Sequence, residues 1–166
     1  RMLINGDIDM AILSEPTSLD PKNYEQHVIQ IDEMAAFMDA NHPVAQKNVL
    51  EWADLKNYPI ATFNKNFMTH QLVYNKLQSV QLENQIQFTS SSWDYLIEAT
   101  RSEEIITILP RPVEKFFSEE EILVRPFRDF IPFNFHLCRP IKEKYSTVED
   151  FVFSGIIDFF YQPVED

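Results

Sequence analysis

Pro59-Ile60-Ala61-Thr62-Phe63 runs into Asn64-Lys65-Asn66-Phe67-Met68 and then into Thr69-His70-Gln71-Leu72-Val73-Tyr74-Asn75-Lys76-Leu77-Gln78-Ser79-Val80. The first five residues form a short apolar run, the length of a strand and too short for a helix of its own. The next five form a loop. In the last twelve, Leu72, Val73, Lys76, Leu77 and Val80 recur with helical spacing. A strand that ends in a short loop and enters a helix is half of a βα unit, and the sequence on either side repeats the pattern.

Downstream, Ile86-Gln87-Phe88 reads as a strand. Ser91 and Asp94 stand three apart, as in a capping box, and open a helix whose inner face is Trp93, Leu96, Ile97 and Thr100. Residues 105–109 are the most β-prone stretch; Pro110 and Pro112 end it, and a short helix at 113–117 follows. Strands are expected at 121–124 and 133–139. The last element is a helix capped by Ser146 and Glu149, with Val148, Phe151, Val152, Gly155, Ile156 and Phe159 on one apolar face. Upstream, Gly6 stops a short apolar end. Residues 8–13 make a strand with Met10, Ala11 and Ile12 buried on both faces. Residues 15–23, with Pro16 and Pro21, form a loop. Residues 24–31 alternate, with Val28 and Gln30 outward against Ile29 and Ile31 in one phase. Residues 34–38 form a second extended run, which Asn41-His42-Pro43 breaks, and residues 50–55 fit one helical turn.

Alternating strands and helices argue for an α/β fold on a parallel or mixed sheet. The two long extended runs, 24–38 and 121–139, suit strands that pass between two lobes. The 166 residues suffice for one ordinary core or two small lobes.

The net charge of −12 is spread along the chain. A nucleic-acid backbone is repelled by that field, so direct DNA contact by these residues is not expected. A small anion is not barred, because helix-terminal N–H groups act locally. Cys138 is the only cysteine, which rules out an internal disulfide and suits a reducing compartment. No apolar run has the length of a bilayer span, so no membrane association is expected. Residues 1–12 do not read as a signal peptide; they read as a helix tail feeding a strand, and further chain upstream is expected.

Catalytic and metal constellations are poor. His27, His42, His70 and His136 show no ligand spacing with Cys138, and His136 and Cys138 lie two apart on one strand face. Glu119-Glu120-Glu121 reads as a solvated turn, and with only two glycines the chain has no phosphate-cradling loop. Neither an enzyme nor a cofactor is expected.

A ligand in an α/β protein lies beyond the carboxyl ends of strands, where helix N-termini present free N–H groups. Residues 62–69 and 89–92 both follow a strand and open a helix. Leu109 and Pro110 end the central strand, and Ser14 ends the first one. The plain alternatives are that Thr69 and Ser91 only cap helices, that Phe63 and Phe67 pack in the core, and that His70 is a surface residue rather than an anion's partner. His42 reads as structural.

The order of these landmarks resembles the regulatory domain of LysR-type transcription regulators. Leu3-Ile4-Asn5-Gly6-Asp7-Ile8-Asp9-Met10-Ala11-Ile12 resembles the family's segment in which Leu, Gly, a hydrophobic residue and Asp precede an Ala-Ile strand. Residues 32–38 with His42-Pro43-Val44-Ala45 resemble the strand ending in His-Pro-Leu-Ala. Trp52-Ala53-Asp54-Leu55-Lys56-Asn57-Tyr58-Pro59-Ile60 is similar to the Asp-Leu turn that precedes the second lobe's first strand. Residues 105–110 are similar to the Gly-Ile-x-Leu-Leu-Pro strand, and the helix from Thr147 to the closing helix. Where relatives often carry a glycine pair before that strand, this chain has Arg101-Ser102-Glu103-Glu104, so the turn must form without glycine or bear the strain.

The resemblance implies a periplasmic-binding-protein-like (type 2) two-lobed fold with an incomplete first lobe: residues 1–27 and 134–166 in the first lobe, 28–133 in the second, and crossover strands near 24–31 and 121–139. It implies that Thr62, Asn64, Met68 and Thr69, with Ser90, Ser91 and Ser92, contact a small organic effector, of a kind that a carboxylate or similar anion would satisfy. Amino acids, aromatic acids, sugars and dicarboxylates all fit that description. It further implies a cytoplasmic homo-oligomer, dimer or tetramer, that reaches DNA through a separate N-terminal helix-turn-helix domain. Regulatory domains would pair antiparallel through the helix at 69–80, which should then carry an outward apolar patch. The rival readings are a transport-type solute-binding protein, a small-molecule enzyme on a similar scaffold, and a ligand-free dimerisation module whose cleft is filled by Phe67 and Met68.

Overall fold

Gly6 lies at φ 77°, in the left-handed region, and its N–H closes on Leu3, so the opening helix stops where a side chain would be strained. In a computed structural model, which describes residues 1–14, 17–117 and 121–161, the elements follow in order: α1 (Met2–Asn5), β1 (Ala11–Ser14), β2 (Tyr24–Gln30), β3 (Met34–Asp39), β4 (Ile60–Phe63), α2 (Met68–Ser79), β5 (Ile86–Ser90), α3 (Trp93–Thr100), β6 (Ile106–Pro110), β7 (Ile122–Arg125), β8 (Phe135–Pro140) and α4 (Thr147–Phe160). The carboxylate triplet at 119–121 falls mostly outside the described residues, as do Glu15 and Pro16 of the first loop. The chain divides into two units: residues 1–32 with the chain from Pro132 onward, and Glu33–Ile131.

The first unit is a three-stranded antiparallel sheet in the order β1-β8-β2. Leu3, Leu19 and Cys138 form its small core, with Ile8, Ala11, Leu13 and Tyr24 packed against it. Cross-strand partners share a face, and in the row Ile12, Leu137 and His27 the last meets Phe153 of α4 edge-on at 5.5 Å. Two sequence expectations change here. Ile12 is half exposed rather than buried, and Ile31 lies outside β2 and is exposed along with Val28. A register irregularity between Val28 and Gln30 breaks the alternation that put Ile31 inside.

α4 starts as its sequence dictates: Ser146 Oγ accepts from the Glu149 N–H at 3.1 Å, and the Glu149 carboxylate accepts from the Ser146 N–H at 2.9 Å. The Lys142 ammonium beside Glu149 and the Ser146 groups hold that carboxyl at about 2. The buried face differs from expectation. Phe153 is 3 % exposed, whereas Val148, Phe151 and Phe159 each exceed 70 %. The helix is turned by Arg139 of β8, whose guanidinium lies between the rings of Phe153 and Tyr145 and pairs with Asp150.

In the second unit the sheet runs β5-β4-β6-β3-β7. β4 is parallel to β5 and β6, and β3 is antiparallel to β6 and β7. A strand inside such a sheet is covered on both faces, which is why Met34, Ala35, Ala36, Phe37 and Met38 are all fully buried without alternation. One face packs Ala35, Phe37, Ala61 and Leu109 against Leu96 and Ile97 of α3. Thr100 and Thr107 enter that layer paired, Oγ1 to Oγ1 at 2.6 Å, so no hydroxyl is stranded there. A 3-10 turn at Trp52–Leu55 stacks Trp52 on Phe127 at 3.8 Å, and the indole N–H donates to the Asp129 carbonyl.

The glycine-free turn at 101–104 forms without strain: Arg101 is helical and Ile105 N–H closes on Ser102. Among the described residues the non-glycine position with positive φ is Gln81, after α2. α3 begins at Trp93 with Ser92 as its N-cap, and the expected Ser91–Asp94 box is not made. The Ser92 N–H already donates to Ser90 Oγ at 3.0 Å, which delays the helix by one residue and leaves Trp93 partly exposed instead of in the core.

His42 is 1 % exposed, accepts from the Val44 N–H through Nδ1 at 3.1 Å, and meets Tyr58 edge-on at 4.5 Å. Its proton therefore sits on Nε2. Burial pushes its pKa below the ordinary 6.5, against smaller opposing effects of the Glu104 carbonyl and Asp39. A histidine kept neutral by folding contributes stability above its unfolded pKa, and loses it as pH falls from 6.5 toward the depressed folded value. Urea midpoints of the second unit should therefore fall on acidification through that window, and His42→Asn, which can cap Val44 but does not titrate, should flatten the profile.

Candidate functional site

Because β4, β5 and β6 are parallel, their carboxyl ends share one edge of the second unit's sheet. The loops that leave β4 and β5 touch: Asn64 N–H donates to the Ser90 carbonyl at 2.9 Å. The structure thus brings Asn64, Met68, Thr69, Ser90, Ser91 and Ser92 to neighbouring loops and helix starts. Leu109 and Pro110 are buried where β6 ends. Thr62 is wholly buried, and its hydroxyl donates to the Ile108 carbonyl at 3.1 Å, so it links β4 to β6. Ser14 lies in the first unit, as the last residue of β1, opposite Phe135.

Thr69 is not a helix cap. The N-cap of α2 is Phe67, which supplies no side-chain acceptor, and Thr69 sits in the first turn. The residue is 9 % exposed and its Oγ1 is buried without a hydrogen-bond partner. A buried hydroxyl left unsatisfied costs about 1–3 kcal/mol, beside a helix end whose first N–H groups have no partner within the helix. Asn64 Oδ1 takes the Asn66 N–H at 3.1 Å and shapes the loop just before it. His70 corrects the surface reading: it is buried, with Nδ1 2.7 Å from the Phe63 carbonyl, and that contact places the ring proton on Nδ1.

Two aromatic pairs stand at the same edge. Phe63 stacks on Phe67 at 4.8 Å, and Trp93 lies 5.3 Å from Phe116, in the 3-10 segment Arg111–Phe116 that follows β6. Helical spacing puts Trp93 on the inner face of α3, and no local signal joins it to Phe116, because the pair is 23 positions apart.

The outward side of α2 carries Gln71, Asn75, Gln78 and Ser79, with Gln71 donating to Asn75 at 2.7 Å. Met68 and Val80 are apolar and exposed only at its ends. The apolar patch expected for pairing through this helix is not there.

Among the described residues, no group of three or more His, Cys, Asp or Glu could hold a metal ion, and no helix is long and apolar enough to cross a membrane. Burial pushes the Cys138 thiol up from its ordinary range. Iodoacetamide at pH 8 should leave it unmodified in the folded protein and label it after denaturation in urea; rapid labelling of the native protein would show that unit's core to be open.

The family model of the LysR substrate binding domain matches residues 1–152. The chain belongs to this family. A HTH-type transcriptional regulator of Bacillus subtilis (strain 168), YwbI, is 20 % identical over 125 residues, which is 75 % of this chain and 41 % of YwbI. The chain therefore spans about two-fifths of that relative. Among solved structures, the CcmR regulatory domain of Synechocystis PCC6803, in complex with 2-PG, superposes with a TM-score of 0.80 at 14 % identity, over 97 % of this chain and 77 % of that one. HinK of Pseudomonas aeruginosa, a LysR family transcriptional regulator, gives 0.77 at 14 % identity over 97 % and 57 %. The regulatory domain of MetR from N. meningitidis gives 0.67 at 18 % identity over 96 % and 73 %. The two α/β units are thus the lobes of a periplasmic-binding-protein-like fold of the LysR regulatory kind.

Proposed function

We propose that this LysR regulatory domain binds a small organic anion at the carboxyl edge of the second unit's sheet, with Thr69 and the first N–H groups of α2 as the anchor and Asn64, Met68, Ser90, Ser91 and Ser92 around it. Leu109 and Pro110 would form the floor. The observation that carries this reading is the buried hydroxyl of Thr69 without a partner, at a helix start in the place where α/β sheets take ligands. The CcmR structure holds a ligand on the same fold. Binding would shift the populations of two states of a cytoplasmic homo-oligomer and so change promoter binding by a DNA-binding domain elsewhere in the protein, as the HTH designation of YwbI suggests. The net charge of −12 fits DNA contact by that other domain rather than by these residues.

Thermal shift and titration calorimetry of the full-length protein against small organic acids and amino acids test this. A saturating ligand at a hundred times its Kd should stabilise the protein by about 2.7 kcal/mol. Thr69→Val, which keeps the shape and removes the hydroxyl, should weaken that ligand at least about tenfold by leaving its anion short of one donor. A ligand that binds equally to wild type and Thr69→Val would place the site elsewhere.

A further inference from the structure

Large apolar side chains are usually buried, and a cluster of exposed ones rimmed by polar groups marks a binding surface. Phe67, Met68, Trp93 and Phe116 are 39 %, 47 %, 38 % and 71 % exposed. They come from the segments that follow β4, β5 and β6, the three strands whose carboxyl ends share an edge. Phe67 is the N-cap of α2, two residues before Thr69, and Trp93 opens α3 one residue after Ser92. The Asn64–Ser90 hydrogen bond holds the two loops together. Lys65, Arg111 and Lys115 stand in the same segments with Asp94 and Glu114, three positive charges against two negative, in a chain whose overall charge is −12.

We infer that the ligand is an aromatic carboxylate, an assignment that rests on the anion site proposed at Thr69. Its carboxylate would meet the α2 N-terminus and the Thr69 hydroxyl, and its flat ring would lie against the aromatic surfaces of Phe67, Trp93 and Phe116. Ring faces reward a planar π system through offset or edge contacts beyond simple burial, which a puckered aliphatic ring of equal size cannot match.

Benzoate and phenylacetate are the probes, and cyclohexanecarboxylate, with the same charge, similar size and no π face, is the control, all titrated into the full-length protein by calorimetry. The aromatic acids should bind about tenfold more tightly than the control, a gap of about 1.4 kcal/mol. Trp93→Ala and Phe116→Ala should each remove most of that advantage and leave the control nearly unchanged. Both positions are exposed, and Trp93→Leu serves if the alanine variant loses its native circular dichroism. Equal binding of benzoate and cyclohexanecarboxylate, both weakened by Thr69→Val, would overturn the aromatic assignment and leave the anion site standing. Tight benzoate binding unchanged in Trp93→Ala and Phe116→Ala would also overturn it. If none of these acids binds and no other organic acid or amino acid gives a Thr69-dependent response, the assignment and the site both fall.

Discussion

Phe37→Ala is expected to destabilise the second unit by about 3–5 kcal/mol, the range for emptying an aromatic site in a packed core. Phe37 is fully buried in the central strand β3 and meets Phe117 edge-on at 5.7 Å. Its neighbours in the apolar layer come from β4, β6, β7 and α3. Those on the strands are fixed by pairing, so the layer cannot all collapse into the space. Both tryptophans, Trp52 and Trp93, lie in this unit, so tryptophan fluorescence in urea reads its unfolding directly. The variant's midpoint should drop steeply, and Phe37→Leu should recover most of the loss. A shift worth less than about 1 kcal/mol for the alanine variant would mean that β3 is not the rigid centre of that unit.

Arg139→Ala is expected to release α4 from the first unit, at a cost of about 3 kcal/mol. The guanidinium is nearly buried. Its Nε donates to Glu25 at 2.7 Å and its Nη1 to Asp150 at 2.9 Å, while the rings of Tyr145 and Phe153 lie 3.7 and 3.8 Å from its central carbon. Removing it leaves Glu25 with His27 and water, leaves Asp150 to water, and opens a slot between two rings. The cost sits at the low end for a broken buried pair because both carboxylates keep contact with water. Arg139→Lys keeps the charge but lacks the planar fork and should recover only part of the loss. Helical circular dichroism should fall on the variant's unfolding at lower urea, while the tryptophan transition, which reports the other unit, stays near that of the wild type. Coincident shifts in both signals would show that the two units unfold together.

The elements themselves were legible in the sequence. The switch of period between Phe63 and Leu72 marks a strand and a helix, and the uninterrupted apolar run at 34–38 marks a strand covered on both sides. The Ser146–Glu149 spacing starts α4 where it begins, and Gly6 ends α1. Each of these signals depends on neighbours within one or two turns of chain. The candidate site was legible as two strand-to-helix junctions, because parallel strands put such junctions on one edge whatever their side chains.

What lay outside the sequence's reach involves contacts that no helical or strand period marks. A 3.6-residue period shows that α4 has an apolar stripe at Val148, Phe151 and Phe159. It does not show which side meets the sheet; Arg139 settles that by holding Phe153 and Asp150. Trp93 fits an inner helical face until Ser90 takes the Ser92 N–H and delays the start of α3. Thr69 has the composition of a cap, yet the loop shaped by Asn64 hands that position to Phe67 and leaves the threonine hydroxyl buried without a partner. Local sequence thus determined where strands and helices form. Only the folded structure decided which of their faces and polar atoms remain free, because that depends on loop hydrogen bonds and inter-element contacts that neither a helical nor a strand period marks.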